Sequence, residues 1–548
     1  MTDRKADTFV VDRLPAKDAQ PDFRFDLPEL TYPERLNAAV ELLDRAVEQG
    51  HGDRIAVRGD LRTWTYSEIQ SLSDRIARLL VEEERLAPGN RVLLRGANSA
   101  FLYAAWFGVL KAGGVVVATM PMLRARELAT ILDRAEISHA IVDRAALGDF
   151  EAAALESGSL RALLVYEGDS GDGPLETRLG AVAPGFASAD TAGDEPALIA
   201  FTSGTTGNPK GCVHFHRDIL AAADGFARHI LAPGETDVHC GSPPIAFTFG
   251  LGGLVIFPFR FRGATVPVAL PGPAALLDAI ERHRVTILYT APTAYKAMLA
   301  LLPGRDLSSL RACVSAGEHL PADTWSRWRE ATGIPIVDGI GATEMMHIFI
   351  SASGDDIRPG ATGKAVPGYS ACVLGPDGEA LATGTGRLAV KGPTGCRYLD
   401  DTRQADYVQH GWNVTGDTYR VDEDGYFWFV ARSDDMIVSS GYNISAPEVE
   451  EALLTHPAVS ECAVIGVPDP ERGSIVKAFV VVEASWPIRE GLAAELQDHA
   501  KKVIAPYKYP RAIAFVDALP RTATGKLQRF ALRAVDRPPF DCDRDGRP

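Results

Sequence analysis

Cysteine is sparse in this chain of 548 residues: seven, at positions 212, 240, 313, 372, 396, 462 and 542, with no Cys-x-x-Cys among them. An odd, scattered set fits neither a disulfide framework nor a structural zinc site, so a reducing compartment is expected. Basic residues are in deficit, 56 Lys and Arg against 72 Asp and Glu, for a formal charge of −16. That balance argues against general attraction to nucleic acid or anionic membrane, and any polyanionic ligand needs a local site. The opening residues, Met1-Thr-Asp-Arg-Lys-Ala-Asp7, have no apolar core. Neither a signal peptide nor an anchor is expected, and a soluble, cytoplasmic protein is. Cys240 to Phe259 carry no charge, but Pro243, Pro244, Pro258 and interspersed glycines break the run. It reads as core and pocket wall rather than a membrane span, which needs about 20 uninterrupted apolar residues.

Two nucleotide fingerprints are missing as well. No Gly-x-x-x-x-Gly-Lys occurs, because Pro209 stands where the second glycine would be, and Gly339-Ile-Gly341-Ala-Thr-Glu344 fails the dinucleotide pattern at its last position. P-loop ATPase, kinase and dehydrogenase readings therefore drop. Internal repeats are also absent.

What is present is alternation. Short apolar runs (Arg91 to Arg95, Gly114 to Ala118, Ala140 to Val142, Leu198 to Phe201, Thr286 to Tyr289, Ala312 to Ser315) are separated by stretches with helical spacing. Pro33 to Gln49 is one such stretch, with Leu36, Ala39, Val40, Leu43 and Val47 on one face and Gly50 as its stop. The alternation predicts an α/β architecture with parallel sheets and crossover helices. Residues 151–195, rich in Gly, Asp, Ala and Ser, are expected to be an irregular surface excursion between two sub-sheets. Beyond residue 433 a small α+β pattern restarts: Glu448 to Leu454 helical, Cys462 to Ile465 and Ala478 to Val482 as strands, Leu492 to Val503 helical. Domains are therefore expected at 1–433 and 434–548.

The most informative segment is Phe201-Thr-Ser-Gly-Thr-Thr-Gly-Asn-Pro-Lys-Gly211, directly after an apolar run. Glycines let backbone N–H groups approach phosphate oxygens, hydroxyls donate, and a lysine adds charge. The pair His214-Phe-His216 has no third ligand at sensible spacing, so no metal is assigned to it.

The segment resembles the phosphate loop of the adenylate-forming superfamily of acyl-CoA synthetases, adenylation domains and luciferases. Further motifs follow in the family's order. Asp338-Gly-Ile-Gly-Ala-Thr-Glu344 is similar to its adenine and magnesium segment, and Trp412-Asn-Val-Thr-Gly-Asp417 to its ribose motif. Ala431-Arg-Ser-Asp-Asp-Met-Ile437 resembles its hinge, with Ala431 for the usual glycine, and Pro520-Arg-Thr-Ala-Thr-Gly-Lys526 its catalytic-lysine motif.

The resemblance implies a large N-terminal domain of stacked, mostly parallel sub-sheets with a small barrel-like part, and a small mobile C-terminal domain. It implies ATP and Mg2+, with coenzyme A as cosubstrate. Thr202, Ser203, Gly204, Thr205, Thr206, Gly207 and Lys210 would hold phosphates. Ala316, Gly317, Glu318, Asp338, Gly339 and Ile340 would line the nucleotide site. Glu344 would ligate magnesium beside Thr343, Asp417 and Arg432 would hold the ribose, and Lys526 would be the adenylation lysine. Asp434 would be the pivot. Ser440, Gly441 and Tyr442 would line the thiol tunnel, with Arg472 and Lys477 at the CoA phosphates.

Benzoate- and 2-aminobenzoate-CoA ligases are the members most resembled, through Gly341-Ala-Thr-Glu-Met-Met-His-Ile-Phe349 and Tyr32-Pro-Glu-Arg-Leu-Asn-Ala38. That implies an aryl-CoA ligase whose acid pocket includes Ala246, Phe247, Gly250, Gly341 and His347, and flat walls of Phe247, Ala316, Gly317, Ile340 and Gly341 suit a planar ring. A free-standing enzyme loading a carrier protein in trans, or a medium-chain acyl-CoA synthetase, are the alternatives, and a monomer or homodimer is expected.

Overall fold

The computed structural model describes residues 5–155, 157–168, 171–202, 209–432, 436–439, 442–469, 472–504, 508–521 and 527–534. The chain divides into two compact units, Met1–Ala371 with Val390–Val414, and Cys372–Ala389 with Thr415–Pro548.

The first unit is built on two large sheets. One has six strands in the order Ala162–Tyr166, His139–Asp143, Arg91–Arg95, Val115–Thr119, Pro196–Thr202, Lys210–Phe215. Its first five strands are parallel and the last is antiparallel. The other has nine strands, and its centre is a parallel run through Ile336–Gly341, Ala312–Ser315, Ile287–Thr290, Val238–Gly241, Ala264–Val266 and Ile55–Arg58. Parallel strands are covered on both faces, which is why they appear as unbroken apolar runs and not as alternations. The helix Ala100–Lys111 is buried on every side. Its one charge, the Lys111 ammonium, is neutralised by Asp44 and Asp74 at 2.6 Å each, as a buried cation requires.

The helix expected from Pro33 begins at Ala38 instead. Leu36 donates its N–H to Thr191 O and Arg35 bridges Ala192, so this stretch is held extended. Asn37 is the cap, its Oδ1 accepting from the Ala39 N–H at 3.0 Å, and Gly50 ends the helix at φ +87°. Residues 151–195 are also not an excursion between sub-sheets. Ala162–Tyr166 is the edge strand of the six-stranded sheet, parallel to His139–Asp143, and Pro174–Gly180 is a helix. Its apolar core, Leu163-Leu-Val-Tyr166, is short and flanked by loop-like composition, which hid it. Thr248 to Arg260 is helical, and among the described residues no helix is long and apolar enough to cross a membrane.

In the second unit, Val459–Asp469 and Gly473–Val482 form an antiparallel pair to which Ala512–Phe515 adds in parallel. The helices Ala446–Leu454 and Leu492–Val503 contribute Val449, Leu453, Leu492 and Leu496 to its core with Val464, Val480 and Ile513. Asp417 to Val421 pairs with Phe427–Arg432 in the same unit.

Candidate active site

In the first unit the segment expected to hold phosphates is bounded by an antiparallel pair in which Thr202 faces Lys210. Ser203, Gly204, Thr205, Thr206 and Gly207 lie outside the described residues. Lys210 donates from Nζ to Tyr398 Oη at 2.5 Å, and the Tyr398 hydroxyl in turn donates to Glu344 Oε1. The ammonium and that carboxylate oxygen are 3.6 Å apart. Two residues expected to serve the nucleotide are thus brought together, with a tyrosine between them.

Behind this trio runs a buried array of charges. His214 Nε2 lies 2.7 Å from the Thr343 carbonyl oxygen, and His214 Nδ1 is 3.8 Å from Asp218 Oδ2. Arg397, fully buried, donates to the same Asp218 oxygen at 2.7 Å and stacks on Phe23 and Phe215 at 4.1 and 3.9 Å. Burial opposes the imidazolium, but Cys212 and Asp218 beside it hold His214 up at about 10. Burial likewise opposes the Asp218 carboxylate, yet Arg397 and His214 hold it down at about 2. The ion set is therefore charged at neutral pH and fixes the Thr343 carbonyl, one residue before Glu344. His216 is different: its Nδ1 accepts from the Ala38 N–H at 3.1 Å, and burial pushes it down to about 3.

Around the expected nucleotide and acid positions, Ser315 and Asp338 face each other across neighbouring parallel strands, so Ala316, Gly317 and Glu318 leave the sheet beside Asp338, Gly339 and Ile340. Asp338 is half-buried, but its Oδ1 is enclosed with no hydrogen bond of good geometry among the described residues, and burial, outweighing pulls from His319, Ser315 and the Gly339 backbone, pushes the carboxyl up to about 7. Pro243 to Ile245 is clamped by Asn98, which donates to Pro243 O and accepts from the Ile245 N–H, both at 3.1 Å. Ala246 and Phe247 follow, half-buried, and Gly250 packs so close to the Pro244 carbonyl that a Cβ would lie 2.2 Å from it.

His347 is 3% exposed. Its ring lies among Phe226, Phe249 and Phe257 at centroid distances of 5.2, 5.8 and 4.6 Å. Neither ring nitrogen has a hydrogen-bond partner of good geometry among the described residues. Burial, outweighing a pull from the Phe249 backbone, pushes it down to about 3, so the imidazole is neutral. Gly252 makes room for it, since a Cβ there would sit 2.3 Å from His347 Cδ2.

In the second unit, Arg432 donates from Nη1 to Asp417 Oδ1 at 3.1 Å. Arg472 is exposed and its N–H caps on Asp469 Oδ1 at 2.9 Å. Lys477 is mid-strand and 9% exposed, its ammonium 5.3 Å from the Phe479 ring centroid. Tyr442 opens a strand paired with Met436–Ser439. Asp434, Ser440, Gly441 and Lys526 lie outside the described residues.

The sequence profile of the AMP-binding enzyme family matches residues 43–397, and that of the AMP-binding enzyme C-terminal domain matches residues 448–526. The chain belongs to the AMP-binding enzyme family. Among its relatives, the benzoate–CoA ligase of Thauera aromatica is 37% identical over 93% of this chain and 98% of that protein. The mouse mitochondrial acyl-coenzyme A synthetase ACSM3 is 32% identical over 93% of this chain and 92% of its own. The solved structure of the anthranilate CoA ligase AuaEII with anthranoyl-AMP superposes with a TM-score of 0.87 at 34% identity, covering 93% of this chain and 98% of that one. Family and relatives together class the chain as an AMP-forming acyl- or aryl-CoA synthetase, and the α/β fold expected from the motifs is the one observed.

Against this family background, sequence reasoning missed Tyr398, Arg397 and Asn98, and weighed His214 only as a metal ligand. The available signal was weak: an Arg-Tyr pair inside the otherwise small and apolar run Gly392 to Leu399. A buried arginine there demands a counter-charge, and Asp218 was the one to look for.

Proposed function

We propose that this AMP-binding enzyme is an ATP-dependent aryl-CoA ligase acting on an aromatic acid such as 2-aminobenzoate, benzoate or salicylate. The observation that carries the reading is His347: a neutral, enclosed imidazole walled by three phenylalanine rings, three residues beyond Glu344. Flat apolar walls favour a planar ring, and an imidazole without a partner is poised to bond a polar ring substituent. The likeness to the Thauera and AuaEII enzymes supports the same substrate class.

In the first half-reaction a carboxylate oxygen attacks the α-phosphorus of ATP, the bond to the β-phosphate breaks, and pyrophosphate leaves. Two anions must meet, so positive charge has to be focused there. Thr202, Ser203, Thr205, Thr206 and Lys210 hold the β- and γ-phosphates, and Thr343 lies at the α-phosphate. Asp338, with Ala316 to Glu318, Gly339 and Ile340, serves the adenine side, and Asp417 with Arg432 takes the ribose. Glu344 fits magnesium: its carboxylate is a hard oxygen donor, already held in an orientation by Tyr398. When bound, the ion neutralises phosphate charge. Lys526 draws the carboxylate to the α-phosphate.

In the second half-reaction a thiol sulfur attacks the acyl carbon, AMP leaves, and the thiol proton passes to solvent. The C-terminal domain from 434 turns about Asp434 for this step, with Ser440, Gly441 and Tyr442 at the pantetheine arm and Arg472 and Lys477 toward the CoA phosphates. Unbridged thiols at Cys212, Cys240, Cys313, Cys396 and Cys462 suit a reducing cytoplasm.

The test is exchange of labelled pyrophosphate into ATP with benzoate, 2-aminobenzoate, salicylate and a medium-chain fatty acid in parallel. Aromatic acids should lead, and CoA alone should release AMP. Faster exchange with the fatty acid refutes the aromatic pocket, and AMP release that needs a carrier protein refutes CoA as acceptor.

A further inference from the structure

We propose that Tyr398 is a positioning residue for nucleotide binding, its hydroxyl standing between Lys210 and Glu344 so that the two cannot close into a direct ion pair. The inference rests on reading those two residues as nucleotide ligands. Charge-assisted N–H to carboxylate contacts normally close to about 2.7–2.9 Å, whereas here the ammonium stops at 3.6 Å. The phenol accounts for the gap, because it accepts from the lysine and donates to the carboxylate.

Its place is set by backbone pairing, not by the charges. Cys212 and Tyr398 face each other in an antiparallel bridge, Val213 donates its N–H to Arg397 O, and Leu399 donates to Gly211 O, both at 2.8 Å. The Tyr398 N–H is held by Gln404 Oε1 at 2.9 Å. The segment is therefore zipped to the very strand that carries Lys210, and the ring packs edge-on to Tyr407 at 5.9 Å. With Lys210 and Glu344 side chains only 20% and 9% exposed, a direct pair would be poorly screened and costly to part. Both partners have to part when phosphate takes the lysine and a metal takes the glutamate. A neutral hydroxyl keeps them oriented and opposite in sign while leaving each easily released.

Calorimetric binding of MgATP, without any acid, tests this on the full chain. Tyr398→Phe removes the spacer and keeps the ring; affinity should fall about tenfold as Lys210 and Glu344 close up. In a Glu344→Gln background, where no ion pair can form, Tyr398→Phe should change affinity less than twofold further. Tyr398→Gln, whose amide can also accept from an ammonium and donate to a carboxylate, should bind more tightly than Tyr398→Phe. Unchanged affinity in Tyr398→Phe, equal losses in both backgrounds, or a glutamine variant as weak as the phenylalanine one would each overturn the proposal. A wild-type protein that does not bind MgATP would instead sink the nucleotide reading itself.

Discussion

Arg432 lies directly across an antiparallel ladder from Asp417 and donates to its carboxylate at 3.1 Å. The contact presents one fixed carboxylate orientation, and Gly416 makes it possible: its φ is +77°, and a Cβ would lie 3.3 Å from Arg432 Nη2. If Asp417 accepts two ribose hydroxyls, Asp417→Ala should raise the KM for ATP by about tenfold to a hundredfold, the worth of charge-assisted bonds. Arg432→Ala should act in the same direction but less. Gly416→Ala should cost about 1–2 kcal/mol of stability from the left-handed backbone alone, read by chemical denaturation. An unchanged KM in Asp417→Ala would exclude the ribose role.

Different residues are assigned to different half-reactions, so they should be separable. Lys526→Ala is expected to abolish pyrophosphate exchange while leaving much of the thioester formation from supplied aryl-AMP. Replacing Gly441 with a bulky residue should spare exchange and block thioester formation. Equal loss of both steps in either variant contradicts the division of labour.

His347→Leu makes two claims testable together. If the imidazole bonds a polar ring substituent, kcat/KM for 2-aminobenzoate should drop about tenfold relative to benzoate, the scale of one lost bond in a closed pocket; equal drops for both acids would count against it. The second claim concerns acid. The folded pKa of His347, about 3, is below its unfolded value, so on acidification the unfolded chain takes a proton that the native state refuses. Stability is lost as pH falls below about 6.5, amounting to about 2 kcal/mol by pH 5. His347→Leu should show a shallower acid loss by one proton in urea titrations at several pH values.

Asp338 carries the opposite shift. Burial pushes its carboxyl up to about 7, so it is largely protonated at pH 6 and ionised at pH 8. An adenine amino group is a donor and bonds a carboxylate more strongly than a protonated carboxyl, so nucleotide affinity should climb between those pH values. Asp338→Asn should remove that part of the pH profile. For the unliganded protein the raised pKa means stability is lost as pH rises from 3.8 through 7, so the asparagine variant should be the more stable one at pH 8. A pH profile shared by both proteins would remove Asp338 from adenine binding.

Local pattern carried much of the architecture. Runs such as Ala312 to Ser315 and Thr286 to Tyr289 read as buried parallel strands because both faces are covered, the second observed one residue later at Ile287–Thr290, and Leu492 to Val503 read as a helix with the bounds it has. The misreadings at Pro33 and at residues 151–195 came from short signals whose partners are far away: Thr191 holds Leu36 extended, and His139 to Asp143 recruits Ala162 to Tyr166 as an edge.

The order of the motifs, the alternation of strand and helix, and the charge deficit are properties of the chain read in one dimension, and they sufficed for the fold class and the family. The meeting of Lys210, Tyr398 and Glu344, and of His214, Asp218 and Arg397, did not follow from any spacing. Tyr398 is 188 positions from Lys210 and 54 from Glu344. Backbone hydrogen bonds between distant strands decide which side chains meet, and those bonds are blind to side-chain identity, so folding alone set the hydroxyl between the two charges.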